Sequence, residues 1–312
     1  MIDPLSLLLD VQNLSVSFRR YQRGLAQTNL NVISDLSLTA RAGEILAVAG
    51  ASGSGKSLLA HAILGLLPAN AMLSGVMRYD GQPLNAVRQK QLCGSEIALI
   101  PQSVTYLDPL MRVGDQARGA EKSAERMERQ REVFRRLELP LPSERLYPFQ
   151  LSGGMARRVL FSTAIISDAR LIIADEPTPG MHLSQAMEAL SILRELADAG
   201  KAVILITHDV DLALNVADQI AVFYAGTTLE ETPAADFAAG PDALRHPYSR
   251  ALWRALPQNG FEPIPGFQPY PEALPDGCLF GPRCELKTAA CEQETPPMRT
   301  VRGGKVRCVH AA

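Results

Sequence analysis

The chain has 312 residues, 46% hydrophobic and 21% charged, a composition that can bury a core and that excludes a disordered chain. Lys and Arg number 31 against 33 Asp and Glu, and the net charge of -2 gives no electrostatic reason to expect a nucleic-acid partner. The length suggests about two domains. No apolar run approaches the roughly 18 residues of a membrane span, and the opening MIDPLSLLLD lacks a basic region and carries Asp3 and Asp10. Neither a transmembrane anchor nor a signal peptide is therefore expected. In a cytosolic chain the four cysteines of the last 35 residues, Cys278, Cys284, Cys291 and Cys308, need a reason other than disulfides.

In chain order, LLLDVQNLSVSF alternates as a strand, and GEILAVAG is a short apolar run ending in glycine, as a buried strand does. SLLAHAILGLL has helical periodicity and stops before Pro68. From about Ala117 to Leu139 acids and bases alternate at helical spacing up to Pro140, which predicts one exposed helix with a solvated face of mixed sign. ARRVLFSTAII is helix-like. ARLIIADE and KAVILITHD read as buried strands flanking the helical SQAMEALSILRELADAG, a βαβ unit and hence a parallel sheet. Past about Asp236, Pro and Cys accumulate in a loop-rich appendage.

Gly50-Ala-Ser52-Gly53-Ser-Gly55-Lys56-Ser57 fits G-x-x-x-x-G-K-[ST] between a predicted strand and a predicted helix, the context that pattern requires. Its glycines let backbone N–H groups form a nest at a helix N-terminus that binds phosphate. Lys56 would reach the β- and γ-phosphates and Ser57 would ligate Mg²⁺. Downstream, LIIAD ends an apolar strand on Asp175, followed directly by Glu176. A strand-end carboxylate can hold a Mg²⁺ shell and its neighbour can polarise an attacking water.

Between these motifs stands Leu151-Ser152-Gly153-Gly154-Met155, and here the sequence resembles the ATP-binding cassette (ABC) ATPases, whose signature is LSGGQ in most members. The resemblance implies that Ser152, Gly153 and Gly154 close over ATP held by the P-loop of another subunit. It makes Gln102, in ALIPQ, the Q-loop glutamine that contacts Mg²⁺ and senses the permease, and His208, in LITHD, the switch histidine at the γ-phosphate. Phe18, with Tyr21 as second choice, matches the aromatic that stacks on adenine. One position departs: where the family reads EPT-x-x-L-D, this chain has Glu176-Pro-Thr-Pro-Gly-Met-His182, so a histidine replaces the D-loop aspartate.

SVTYLDPLMRVGDQ, YPFQLSGGM and the tail HPYSRALWRALP with PDGCLFGPRC are similar to ATP-binding subunits of oligopeptide, dipeptide and nickel importers. The fold implied is α/β: an ABC-type P-loop NTPase with a RecA-like core, an antiparallel β subdomain and an inserted helical subdomain, plus a small Cys-containing C-terminal domain. The segments expected are 1–107 (first core segment, with P-loop and Q-loop), 108–165 (helical subdomain with signature), 166–235 (second core segment) and 236–312 (tail). The activity implied is ATP hydrolysis driving import of a peptide, nickel or a metal chelate. Its partners would be a second ABC ATPase in a heterodimer, two membrane permease subunits and, indirectly, an extracytoplasmic solute-binding protein, at the cytoplasmic face of the inner membrane. Alternatives are a soluble non-transport ABC ATPase and a weakly hydrolytic regulatory cassette, the latter motivated by His182. The tail spacing C-x5-C-x6-C-x16-C can hold a [4Fe–4S] cluster or zinc. The resemblance ranks the cluster first, and Cys93 stands outside the set.

Overall fold

The computed structural model describes residues 6–21, 27–119, 121 and 123–311; the first five residues, on which part of the leader reading rests, lie outside them. LLLDVQNLSVSF falls in strand β1 (Leu7–Tyr21), followed by β2 (Gln27–Arg41), and GEILAVAG supplies β3 (Ile45–Gly50), buried at every residue. Helix α1 (Lys56–Leu64) ends at Gly65 rather than at Pro68, because Gly65 at φ 69° adopts the left-handed cap that other residues resist. Then come β4 (Ala71–Tyr79), β5 (Gln82–Pro83), α2 (Ala86–Leu92) and β6 (Ile97–Ile100). The charged stretch forms one helix, α4 (Ala124–Arg136), which starts later than the expected Ala117 because Ala117 and Arg118 end a separate upstream helix, α3 (Val113–Arg118). Gly119, at φ 70°, ends α3, and the Ser123 hydroxyl caps α4 by accepting the Arg126 N–H at 3.1 Å.

The remaining elements are α5 (Gly153–Ile166), β7 (Leu171–Asp175), α6 (Leu183–Asp198), β8 (Ala202–Thr207), α7 (Val210–Leu214), β9 (Gln219–Tyr224) and β10 (Thr227–Pro233). The tail adds α8 (Ala234–Ala239), α9 (Pro247–Arg254), α10 (Ala290–Gln293), β11 (Arg299–Val301) and β12 (Gly304–Val306). Among the described residues no helix is long and apolar enough to cross a membrane.

Two compact units divide the chain. The unit containing Val87–Ile206 is built on parallel strands, β6 against β7 (Ile97↔Leu171) and β7 against β8 (Leu171↔Ala202). Parallel strands are covered on both faces, which is why LIIAD and AVILIT read as continuous apolar runs. Leu171, Ile172 and Ile173 are fully buried, each worth about 1.5–3 kcal/mol on the usual area scale. The charges of α4 do more than face solvent. Arg126 Nη1 donates to the Ile166 carbonyl at 2.5 Å, at the end of α5, and Arg136 donates to Glu195 at 2.7 Å and Glu188 at 3.0 Å on α6.

The other unit, Leu7–Ala40, Leu46–Ala86 and Thr207–Ala312, holds an antiparallel sheet in the order β2-β1-β4-β5. It also holds the strand series β11-β12-β10-β9-β3, in which β3 and β9 are parallel and the others antiparallel. The tail is loop-rich, as its composition implies, yet two buried arginines fasten it. Arg245 donates to Thr232 and Asp236 at 2.7 Å each and to the Val301 carbonyl at 2.6 Å. Glu230, without exposure, accepts the backbone N–H groups of Arg245 at 2.9 Å and His246 at 2.8 Å. Arg307 donates to the Asp35 carboxylate and to the Asp35 carbonyl, both at 2.8 Å. Losing one partner of the pair that is buried on both sides, Arg245 and Glu230 at 3.4 Å, costs about 3–5 kcal/mol.

His246 caps α9, its Nδ1 accepting the Tyr248 N–H at 3.0 Å. Burial pushes its pKa down to about 3, Arg250's charge adding to the depression and the Arg307 main chain opposing it. An unfolded histidine titrates near about 6.5, so between the two values the unfolded chain binds more protons. The stability tied to neutral His246 is therefore complete above about 6.5 and is lost as the pH falls toward about 3. His246→Asn, which can cap but does not titrate, is expected to flatten the acid limb of unfolding free energy against pH in urea titrations. An unchanged limb would contradict the assignment.

Candidate functional site

The P-loop lies in the unit with β3 and β9. Gly50 ends β3 where a β-carbon would sit 2.2 Å from the Phe223 carbonyl oxygen, so only glycine fits there. Gly53 (φ 77°) and Gly55 (φ 98°) take the left-handed conformations that turn the chain into α1. The Ser54 carbonyl accepts the Gly226 N–H at 3.0 Å from the β9–β10 corner, which pins the loop from behind. Lys56, almost fully buried, donates through Nζ to the Gly50 carbonyl at 2.8 Å and the Ala51 carbonyl at 2.9 Å. Its charge is thus held inside the loop, at the helix N-terminus where Ser57 also stands; Ser52 is exposed on the rim.

In the same unit His208 follows β8, exposed, between two residues that fix its backbone. The Asp209 N–H donates to Thr207 Oγ1 at 3.0 Å, and the Asp209 carboxylate accepts the Leu212 N–H at 3.0 Å to cap α7. Phe18 is half-buried on β1, opposite Ala71. Tyr21 is 69% exposed and lines an open hollow with Arg19, Asn70, Ala71 and Met72.

The other unit carries the signature, Gln102, Asp175 and Glu176. Ser152 caps α5 by accepting the Met155 N–H at 3.3 Å. A β-carbon on Gly153 or Gly154 would meet nothing within 4 Å. The two glycines are therefore not required by this chain's own packing, and they leave the helix N-terminus bare. Asp175 ends β7, buried. Glu176 is 7% exposed and adopts φ 48°, a left-handed conformation that is unfavourable for a residue with a side chain. Its N–H donates to the Ile206 carbonyl at 2.9 Å, and its carbonyl accepts from Arg157 Nη1 at 3.0 Å. The second guanidinium nitrogen of Arg157 donates to the Gln102 carbonyl at 2.9 Å. Sequence reasoning passed over Arg157; the signal was a pair of adjacent arginines, Arg157 and Arg158, in the early turns of a largely apolar helix.

His182 is the N-cap residue of α6 and makes no capping hydrogen bond with its side chain. An aspartate there accepts from the helix N–H groups, which is worth about 1 kcal/mol.

In the tail, a β-carbon on Gly277 would sit 2.2 Å from the Cys291 carbonyl oxygen, which explains the glycine before Cys278. The five cysteines form no disulfide. Burial pushes the Cys278, Cys284 and Cys308 thiols up. Neighbouring thiols, Cys291 among them in each case, push the same way, while backbone N–H groups of residues just downstream oppose the shift. Cys291 Sγ lies 3.4 Å from His310 Nε2. Among the described residues no group of three or more His, Cys, Asp or Glu side chains is placed to hold a metal ion. Tyr248 is a further residue to which the sequence alone assigns no role. Burial pushes its hydroxyl up to about 12, partly offset by a hydrogen bond with the Ala51 main chain, so the tail reaches the P-loop.

Residues 33–179 match the ABC transporter family, and residues 229–291 match the oligopeptide/dipeptide transporter C-terminal region. The chain is 36% identical to the dipeptide transport ATP-binding protein DppD of Haemophilus influenzae, over 96% of this chain and 94% of that protein. It is 34% identical to the oligopeptide transport ATP-binding protein OppD of Salmonella typhimurium, over 97% and 93% respectively. Among solved structures, the dimeric ATP-binding cassette MJ0796 bound to ADP and Pi matches with a TM-score of 0.63 at 24% identity, covering 73% of this chain and 99% of that one. This last likeness concerns the fold.

For His182→Asp the expected outcome is a gain of about 1 kcal/mol in stability through the new N-cap. The check is the urea midpoint, which rises with the slope unchanged; a midpoint at or below wild type would refute the capping argument.

Proposed function

Because the chain belongs to the ABC transporter family, as an ATP-hydrolysing subunit of the oligopeptide and dipeptide importer type, we propose that it energises import of a peptide through separate permease subunits, with nickel or a metal chelate as the alternative cargo. The observation that carries the reading is the bare N-terminus of α5, where Gly153 and Gly154 leave space that this chain's own side chains do not fill. Donors aimed outward from a helix N-terminus suit an anion held by a second subunit. The second subunit is a related ABC ATPase in a heterodimer, docked with two permeases at the cytoplasmic face of the inner membrane. A solute-binding protein outside the membrane delivers the cargo. Core, helical subdomain, second core segment and tail follow the divisions 1–107, 108–165, 166–235 and 236–312.

Gly50, Ser52, Gly53, Gly55 and Lys56 bind the phosphates of ATP, with Phe18 against the adenine. Ser57, Gln102 and Asp175 offer the hydroxyl, amide and carboxylate oxygens that suit Mg²⁺, which when bound neutralises phosphate charge. Glu176 takes a proton from the attacking water, and His208 donates to the γ-phosphate. Hydrolysis of this kind depends on positioning and electrostatics, so the catalytic residues act by being fixed before ATP arrives. Ser152, Gly153 and Gly154 complete the partner's site.

The thiols of Cys278, Cys284, Cys291 and Cys308 suit a [4Fe–4S] cluster, with zinc as the alternative. A cluster asks each sulfur to meet a different iron, so the four need not converge on one ion. Anaerobically purified protein is expected to absorb near about 400 nm and to contain iron; colourless, iron-free protein would remove the cluster.

Glu176→Gln keeps the shape of the side chain and removes the base. ATP binding is expected to be retained while turnover of the assembled complex falls by roughly 10²–10⁴-fold. Turnover at the wild-type rate would take Glu176 out of that role.

A further inference from the structure

We propose that Arg157 is a positioning residue for hydrolysis, holding the backbones of Glu176 and Gln102 in register with the signature helix. The proposal rests on the assignment of Glu176 and Gln102 given above. Three segments far apart in sequence meet at one guanidinium: α5, the residue after β7, and the residue two places after β6. Arg157 Nη1 donates to the Glu176 carbonyl at 3.0 Å and its other terminal nitrogen to the Gln102 carbonyl at 2.9 Å. Both acceptors are main-chain atoms, so the contact sets where the two functional side chains start.

Glu176 needs such support. Its φ of 48° is left-handed, a conformation that persists only where surrounding contacts over-determine it. Pro177 follows and has no N–H, so the turn cannot close on a hydrogen bond from that residue. The Glu176 N–H is held by the Ile206 carbonyl at 2.9 Å, and Arg157 holds the opposite end of the residue. With both ends fixed, the Cα–Cβ direction is fixed as well.

The helix that carries Arg157 begins at Ser152 and presents Gly153 and Gly154 at its start. A displacement of α5 on meeting a partner's nucleotide moves the guanidinium and, through it, two carbonyls. Arg157 thereby links occupancy of the partner's site to the geometry of this chain's own Glu176, on a route that does not use the D-loop position occupied by His182. A planar fork with several fixed donors suits this task; a lysine ammonium keeps the charge without the fork.

The test is steady-state ATP hydrolysis by the full chain assembled with its partner ATPase and permeases, comparing wild type, Glu176→Gln, Arg157→Lys and Arg157→Ala. Both Arg157 variants are expected to lose about 10–100-fold in kcat, the range a misplaced catalytic group costs, with Arg157→Lys the milder. KM for ATP is expected to stay at its wild-type value, and the melting temperature of Arg157→Lys, which can still donate to one of the two carbonyls, to stay close to wild type. Should Arg157→Ala fail to fold, Arg157→Lys alone decides the matter. Wild-type kcat in the folded variants overturns the proposal, as does a fall in kcat accompanied by matching shifts in KM and melting temperature, which marks a structural role. A silent wild-type complex, or an active Glu176→Gln, overturns the assignment of Glu176 itself and this proposal with it. Normal behaviour of those two beside unaffected Arg157 variants overturns this proposal alone.

Discussion

The approach of β3 to β9 at Gly50 is the constraint on which the P-loop depends. A single methyl there would stand 2.2 Å from the Phe223 carbonyl oxygen, and the parallel register from Leu46↔Gln219 to Gly50↔Phe223 could not reach its end. Where that register ends, the chain is released into the loop. The same neighbouring strand turns at Gly226, whose N–H returns to the Ser54 carbonyl. One β-corner therefore sets both the start and the back wall of the phosphate loop. Lys56 closes the interior by donating to two carbonyls of its own loop. These contacts are all internal to the chain, so its own packing shapes the loop.

A second kind of constraint governs the acidic turn. Strand β7 is apolar and buried on both faces, yet it ends on Asp175 and then on a residue in a disfavoured conformation. Left-handed backbone at a residue with a side chain costs of order 1–3 kcal/mol. Burial along β7 and the hydrogen bonds at both ends of Glu176 offset it. The strain and its remedy are located at the chemistry, while the stability that offsets them is spread through the strand.

What the sequence made legible was what local chemistry dictates. The glycine–lysine–serine pattern, the apolar strand ending in two acids, the LSGG stretch before a helix and the βαβ order all depend on neighbours a few residues apart. The late start of α4 was also written locally, in Gly119 and Ser123, but mixed charges at helical spacing masked it. The contacts that could not be read join distant segments. Arg157 finds Gln102 across 55 positions and Arg245 finds Val301 across 56. Nothing in either neighbourhood names the partner. Tyr248 sits in a stretch notable for its resemblance, and only the three-dimensional structure brings it against the Ala51 main chain. The cysteines were visible as a set, whereas the glycine before the first of them becomes intelligible only when the Cys291 carbonyl is seen to cross over it.

The pair between Arg307 and Asp35 spans 272 positions. At a synthesis rate of about 5–20 residues per second, Asp35 leaves the ribosome's active centre roughly 14–54 s before its partner is made. During that interval the unit that holds the P-loop lacks the Arg307 fastening. The tail thus bears on the order of assembly: the residues of the nucleotide loop are made early, but one fastening of their unit waits for a residue made 272 positions after Asp35.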